Sequence, residues 1–195
     1  MIRAIVLHAS LQGHAADRIA SRLLAGLAYA KRLELERAAE PSRRASLLGI
    51  KLALDALEAV MGRRPEAGSL RFPGGRKPFL PDGPSFSISH CRQRVAVAAS
   101  ADCELGIDIE DRAESRAAMG VGPQRLWRWT AVEATLKAAG CGLRGAQRVV
   151  LCEGGDRARF DNDVYHLRRL ELDPAVVSCA ASDRVVDDWS VERSG

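Results

Sequence analysis

Residues 105–110 of the chain are LGIDIE, a segment in which isoleucines alternate with acidic residues. Side chains of a β-strand point alternately to its two faces, so this alternation predicts a strand near the middle of the chain. Asp108 and Glu110 are expected on one face of that strand, and Ile107 and Ile109 on the other. Acidic pairs of this spacing are also common on the solvent face of a half-buried sheet, so the pair alone does not define a site.

Residues 129–137 are WTAVEATLK and are predicted to form a helix. Glu133 and Lys137 are four residues apart and lie on the same side of it, an arrangement that is also one of the commonest exposed ion pairs. If the helix packs beside the strand, Glu133 and Lys137 can meet Asp108 and Glu110 at one point. Hard cations such as Mg²⁺ bind oxygen ligands and often share their site with substrate phosphates, so these residues suggest a magnesium site.

Three motifs in this order resemble the 4′-phosphopantetheinyl transferases, and in particular the larger, surfactin-synthetase-type branch. The motifs are SISH at residues 87–90, LGIDIE at 105–110, and WTAVEATLK at 129–137, which Gly140 follows. The tripeptide RKP at residues 76–78 is similar to the family's G-K-P element, so the resemblance covers nearly the whole chain. It implies an α+β fold made of two similar α+β halves in a pseudo-twofold arrangement.

The resemblance assigns different roles to the two halves. Residues 1–100 would bind the phosphates and adenine of coenzyme A, and residues 101–195 would hold the metal and the catalytic residues. The implied magnesium ligands are Asp108, Glu110 and Glu133. The implied contacts to coenzyme A are Lys31, Arg44, Arg76, Lys77, Ser89 and His90.

The implied reaction transfers the 4′-phosphopantetheine group of coenzyme A to a serine of an apo acyl or peptidyl carrier protein. The serine hydroxyl attacks the β-phosphate of coenzyme A and adenosine 3′,5′-bisphosphate leaves, a reaction that needs positioning and charge neutralisation more than covalent catalysis. Glu133 and Lys137 would be the catalytic residues. The base that accepts the serine proton would be either Glu133 or a water on the metal, and Lys137 would contact the pyrophosphate.

The chain departs from the family pattern in three places. Segment 111–128, between the strand and the helix, is much shorter than in the family. Val132 stands where the family usually has a lysine, and Glu34 replaces the second basic residue of the element that contains Lys31. A non-catalytic or weakly active relative that binds coenzyme A or a carrier protein is therefore the alternative. An acidic carrier protein would meet the basic residues close by, which are Arg112, Arg116, Arg125 and Arg128.

Composition and charge exclude some other classes of protein. The 195 residues are 47% hydrophobic, which suits one compact domain or two small packed halves. The net charge of +4 is uneven, because residues 1–100 contribute +8 (16 Lys and Arg against 8 Asp and Glu) and residues 101–195 contribute −4 (13 against 17). Nucleic-acid binding is disfavoured, since aromatic residues are only 5% and no recognition-helix pattern is present. The five scattered cysteines never form C-x-x-C and are expected to be reduced thiols.

The apolar run at residues 1–7 is too short for a secretion signal, and no later segment approaches the length of a membrane span. A cytoplasmic monomer with no membrane partner is therefore expected. Helices are predicted over 15–29, over 31–40, and from a cap at Ser42 to Gly62. Strands are predicted at 2–8, 70–72, 85–89, 95–100, near 149, and at 157–160, 164–172 and 176–181, whereas the polar residues 183–195 are expected to fray.

Overall fold

The structure is a computed structural model, and it describes residues 1–12, 15–113 and 122–194. In chain order the elements are β1 (Arg3–Ser10), α1 (Ala15–Gly26), α2 (Tyr29–Arg37), α3 (Glu40–Met61), β2 (Ser85–His90), β3 (Arg94–Ser100), β4 (Leu105–Asp111), α4 (Pro123–Ala138), β5 (Val150–Leu151), β6 (Arg157–Phe160), β7 (Asp163–Arg169), β8 (Val176–Ser182) and β9 (Asp188–Arg193). Short 3₁₀ helices lie at Ala67–Ser69 and Leu143–Arg148. The predicted α+β class is confirmed.

The strands form two sheets. The first has the order β2-β3-β1-β9 and the second the order β4-β8-β7-β6-β5. Neighbouring strands are antiparallel except for β1 and β9, which run parallel. No described helix combines the length and the apolar character that crossing a membrane requires.

Three local predictions were wrong. The polar C-terminal segment does not fray, because β9 pairs with β1 from Asp188 opposite Arg3 to Arg193 opposite His8. A strand at a sheet edge gains backbone hydrogen bonds while its side chains stay in water, so polar residues do not prevent it. Helix α3 begins before Ser42, since Pro41 fits a first turn in which N–H groups have no helical partner. Residues 70–72 contribute only a single bridge, from Arg71 to Phe79.

One helix covers the outer face of each sheet. Helix α3 packs on β2 and β3, and its Gly49 lies so close to them that an added Cβ would be 2.8 Å from Ile88 Cγ2. Helix α4 packs on β4 and β8 and buries Ala134 and Leu136 with the side chains of β8. The third core lies between the sheets, where Ile107 and Ile109 are buried with side chains of β1 and β3. The strand predicted from residues 105–110 therefore faces the first sheet with its isoleucines.

The two sheets meet along edge strands β2 and β4 through side-chain hydroxyls. Alternate serines of β2 accept hydrogen bonds from alternate backbone N–H groups of β4. The pairs are Leu105 N to Ser85 Oγ (3.3 Å), Ile107 N to Ser87 Oγ (3.1 Å) and Ile109 N to Ser89 Oγ (3.3 Å). The serines thus take the place that the backbone of another strand would occupy. These three contacts together are called the serine seam.

Gly106 lets α4 approach β4 to backbone distance. A Cβ added at this position would lie 2.1 Å from the carbonyl oxygen of Ala134 and 2.4 Å from the backbone nitrogen of Ala138. No ordinary packing tolerates such distances, so only glycine allows this helix to lie directly on the strand.

Replacing Gly106 with alanine is expected to lower the free energy of unfolding by at least about 2 kcal/mol, because backbone atoms rather than flexible side chains must move. Urea unfolding measures the change. Gly74→Ala is the matched control, since a Cβ there meets nothing within 4 Å, and it should change stability by less than about 0.5 kcal/mol. Equal effects of the two substitutions would contradict the close approach of α4.

Candidate functional site

Three carboxylates converge where β4 passes under α4. Asp108 and Glu110 come from the face of β4 that looks toward the helix, and Glu133 comes from the helix itself. Each of the three offers one carboxylate oxygen, and these oxygens all lie within 4.8 Å of one another. Asp108 is buried, and Glu110 and Glu133 are half-buried. The structure thus brings together the three residues that the sequence analysis selected as metal ligands.

The two oxygens of Asp108 have different surroundings. Oδ1 accepts a hydrogen bond of 2.8 Å from Ser89 Oγ and one of 2.6 Å from Lys137 Nζ. Oδ2 is buried and has no hydrogen-bond partner among the described residues. An ionised oxygen left without a partner in the interior is costly, and a cation would remove that cost. This orphaned oxygen and the all-oxygen donor set fit a hard divalent ion such as Mg²⁺.

Glu133 holds its proton more tightly than an ordinary carboxyl group. Burial raises its pKa to about 7, and the negative charges of Asp108 and Glu110 act in the same direction. The positive charge of Lys137 and a hydrogen bond from the Trp129 side chain partly oppose this rise. Like charges that are crowded in a poorly solvated place favour the neutral acid.

Lys137 lies one helical turn beyond Glu133 and is the cation nearest to the carboxylates. Its ammonium donates to Asp108 Oδ1 and, at 3.0 Å, to Ser89 Oγ. Its side chain remains 25% exposed, because it also borders a cleft. An ammonium has three N–H groups, so one is left for a ligand in that cleft.

The cleft beside Lys137 has a volume of about 260 Å³ and lies between the two halves of the chain. The loop 75–78 forms one wall and α4 the other, with Ser87 and Ile88 of β2 between them. Its lining residues are Gly75, Arg76, Lys77, Pro78, Ser87, Ile88, Glu133, Leu136, Lys137, Cys141, Gly142 and Leu143. A ligand in the cleft would therefore touch both the basic loop and the side chains of Glu133 and Lys137.

Arg76 and Lys77 contribute differently to this wall. Arg76 is exposed and can turn toward a ligand. Lys77 is already engaged, since its Nζ donates to Ser85 Oγ at 2.6 Å and to Glu104 Oε2 at 2.8 Å. Burial lowers the pKa of Lys77, and Glu104 counteracts that effect. Lys77 therefore anchors the loop to the end of the serine seam, and an anionic ligand would have to share it with Glu104.

His90 follows Ser89 at the end of β2 and is exposed. Partial loss of solvation lowers the pKa of its imidazole, the charge of Lys137 lowers it further, and Asp108 opposes both. The ring is therefore mostly neutral near pH 7 until an anion approaches it.

Lys31 and Arg44 are not among the residues that line this cleft. Lys31 Nζ lies 2.7 Å from Glu34 Oε1 and 4.9 Å from the centre of the Phe72 ring. Glu34, one of the departures from the family pattern, thus neutralises the lysine that the resemblance assigns to phosphate binding. Arg44 is half-buried on α3. Arg116, a predicted carrier contact, lies in segment 114–121, outside the described residues.

Sequence reasoning missed a groove on the outer side of α4. It has a volume of about 450 Å³ and is lined by Arg125, Arg128, Trp129, Val132, Val149, Val150 and Leu151. Trp129 and Val150 are exposed, and Trp129 connects the groove to Glu133 through its hydrogen bond. The four helical positions share a face by their spacing, a signal that was present in the sequence. The partner segment 149–151 is far away in the chain and only folding places it there.

Comparisons with known proteins add no identification. No protein-family model matches the chain, and no curated protein matches it. The resemblance therefore rests on the motifs, and the site has to be judged by its own geometry.

In the metal-free protein, Glu133 is expected to make the free energy of unfolding fall as the pH rises. Its pKa of about 7 in the folded protein exceeds the ordinary value of 4.5, so folding strengthens proton binding at this residue. The resulting stabilisation is complete below pH 4.5 and is lost as the pH rises through about 7. Thermal unfolding in EDTA, at several pH values across this window, measures the loss.

Glu133→Gln is the control for this prediction, because it removes the titrating group and should flatten that part of the pH dependence. Added Mg²⁺ should raise the melting temperature of the wild type more at high pH, where Glu133 is ionised. An unchanged pH dependence in Glu133→Gln would show that the raised pKa is assigned to the wrong group.

Proposed function

We propose that the protein transfers the 4′-phosphopantetheine group of coenzyme A to a serine of an apo carrier protein. The observation that carries this proposal is the single cleft in which Glu133 and Lys137 face the basic loop 75–78. Glu133 lines that cleft and belongs to the cluster of three carboxylates suited to Mg²⁺, and the exposed Arg76 lies at the cleft wall. The cleft thus combines a carboxylate that can bind a metal, an ammonium and a guanidinium. A pyrophosphate that joins a nucleotide to a second group is complementary in charge to this set.

In the proposed transfer, each residue at the cleft has a role that suits its position. Asp108, Glu110 and Glu133 would hold Mg²⁺, which when bound supplies positive charge against the pyrophosphate. Lys137 uses its remaining N–H to hold the pyrophosphate in the cleft. The carrier serine oxygen forms a bond to the β-phosphorus, the bond from that phosphorus to the bridging oxygen breaks, and adenosine 3′,5′-bisphosphate leaves. Either Glu133 or a water on the metal would accept the serine proton.

We further propose that the halves 1–100 and 101–195 are related by a pseudo-twofold axis along the serine seam. Each half carries one sheet and one covering helix, α3 or α4, and the two sheets meet through edge strands β2 and β4. Strand β9 belongs to the first sheet although it comes from the second half, and it ties the C-terminal segment to β1.

The groove beside α4 is proposed to receive the carrier protein. Its floor is apolar, and Arg125 and Arg128 form no ion pair with any described residue, so an acidic amphipathic helix is complementary to it. Val132 stands where the family has lysine, and it adds apolar surface here. Since Trp129 contacts Glu133 from this groove, a helix bound in it would bring its acceptor serine to the catalytic end of the cleft.

Binding of coenzyme A without efficient transfer is the second candidate function. The observation that favours it is the neutralisation of two predicted phosphate contacts, Lys31 by Glu34 and Lys77 by Glu104. A ligand must compete with these carboxylates, which weakens its binding. Both candidates need the metal-binding residues, so only a measurement of transfer separates them.

Incubation with coenzyme A, Mg²⁺ and a panel of apo acyl and peptidyl carrier proteins should add one phosphopantetheine group to a carrier, as read by intact mass. Asp108→Asn is expected to reduce transfer by at least about 100-fold while leaving the fold intact, because a metal ligand loses its charge. Glu153→Gln, an exposed acidic residue of the second half, is the control and should keep full activity. Tight binding of coenzyme A with no mass change on any carrier would favour the second candidate.

Charge reversal in the groove tests carrier docking. Arg125→Glu combined with Arg128→Glu should lower kcat/KM for the carrier about tenfold at low salt and flatten its dependence on ionic strength, since rim charges mainly set the encounter rate. The KM for coenzyme A should not change. Arg63→Glu, at an exposed site just after α3, makes a matched control. A carrier rate that is indifferent to salt would argue against docking by charge.

A further inference from the structure

We propose that Ser89 is a positioning residue for the metal site, rather than the ligand of coenzyme A that the resemblance implies. Its hydroxyl, on strand β2, orients the carboxylate of Asp108 and the ammonium of Lys137. This inference rests on the proposed function only in requiring a divalent cation at the three carboxylates, and it does not require phosphopantetheine transfer.

The hydroxyl of Ser89 is fully used within the protein. It donates to Asp108 Oδ1 at 2.8 Å, and it accepts from Lys137 Nζ at 3.0 Å and from Ile109 N at 3.3 Å. A serine hydroxyl has one hydrogen and two lone pairs, so these three contacts exhaust it. The side chain is also 6% exposed. A phosphate oxygen could receive its hydrogen only if Asp108 lost it.

The two carboxylate oxygens of Asp108 consequently have different surroundings. Ser89 and Lys137 both bind Oδ1, which holds the carboxylate in one orientation and leaves Oδ2 as the buried oxygen without a hydrogen-bond partner among the described residues. Partners behind a metal-binding carboxylate fix its orientation, and their loss usually costs 10- to 100-fold in metal affinity. Lys137 is anchored by the same hydroxyl.

Ser87 provides a matched comparison within the same strand. It lies two residues earlier on the same face of β2, is 1% exposed, and accepts a backbone hydrogen bond of 3.1 Å from Ile107 N. It shares with Ser89 its place in the serine seam, but Asp108 and Lys137 take no part in its hydrogen bonding. The difference between the two positions therefore isolates the contacts that only Ser89 makes.

Calorimetric titration with Mn²⁺ alone, without coenzyme A, tests the inference. Ser89→Ala should weaken Mn²⁺ binding at least about tenfold, whereas Ser87→Ala should leave it within about twofold of the wild type. Both variants should lose stability in urea, because each removes one contact of the seam. Ser89→Thr restores the hydroxyl and should bring Mn²⁺ affinity most of the way back. If Ser89→Ala does not fold, Ser89→Cys keeps the side-chain volume with a weaker hydrogen-bonding group and should also bind Mn²⁺ more weakly.

A second titration uses adenosine 3′,5′-bisphosphate in EDTA. Ser89→Ala should bind this nucleotide as the wild type does, because the hydrogen of the hydroxyl is already donated to Asp108. Weaker nucleotide binding with unchanged Mn²⁺ affinity would make Ser89 a phosphate ligand and overturn the inference. Equal losses of Mn²⁺ affinity at positions 87 and 89 would overturn it as well.

The outcomes for Ser89 and for the proposed function are separable. If the wild-type protein binds Mn²⁺ but modifies no carrier, phosphopantetheine transfer is refuted. The positioning role is then still decided by the Mn²⁺ affinities of Ser89→Ala and Ser87→Ala. A wild type that does not bind Mn²⁺ refutes both.

Discussion

The hydrogen bonds from the backbone of β4 to the serine hydroxyls of β2 are the interaction on which the rest of the structure depends. Two sheet edges lie next to each other here, and neither can leave its buried N–H groups unpaired. The serines satisfy these groups at alternate positions, which sets the register of β4 against β2. Because the last serine of the seam also bonds to Asp108, the contact that joins the sheets places the acidic site at their junction.

Close packing of α4 on β4 is the second requirement, and it depends on Gly106. With the helix at backbone distance, Glu133 reaches the two carboxylates of the strand and Lys137 reaches Asp108. Burial and the charges of Asp108 and Glu110 raise the pKa of Glu133, and Asp108 Oδ2 has no hydrogen-bond partner among the described residues. A cation bound among the three carboxylates would offset both effects.

The positive charge of the first half is less available to a ligand than its composition suggests. Lys77 and Lys31 each lie within ion-pair distance of a glutamate, and Arg76 is the exposed cation of the loop at the cleft. Part of the positive charge of the first half is therefore already paired with carboxylates. On the second half, Arg125 and Arg128 beside the α4 groove form no ion pair with any described residue, so their charges are accessible to a ligand.

Sequence by itself determined the strand at 105–110, the helix that carries Glu133 and Lys137, and the residues able to bind a metal, because periodicity and residue chemistry are local properties. It also contained the alternating serines 85, 87 and 89, although their spacing alone does not indicate what they bond to. Only the tertiary structure decided that the Ser89 hydroxyl makes all its hydrogen bonds with Asp108, Lys137 and Ile109. It also decided that Lys77 pairs with Glu104 and that the polar segment β9 is a strand. Each of these depends on residues distant in the chain, whose meeting is decided by how the sheets and helices pack.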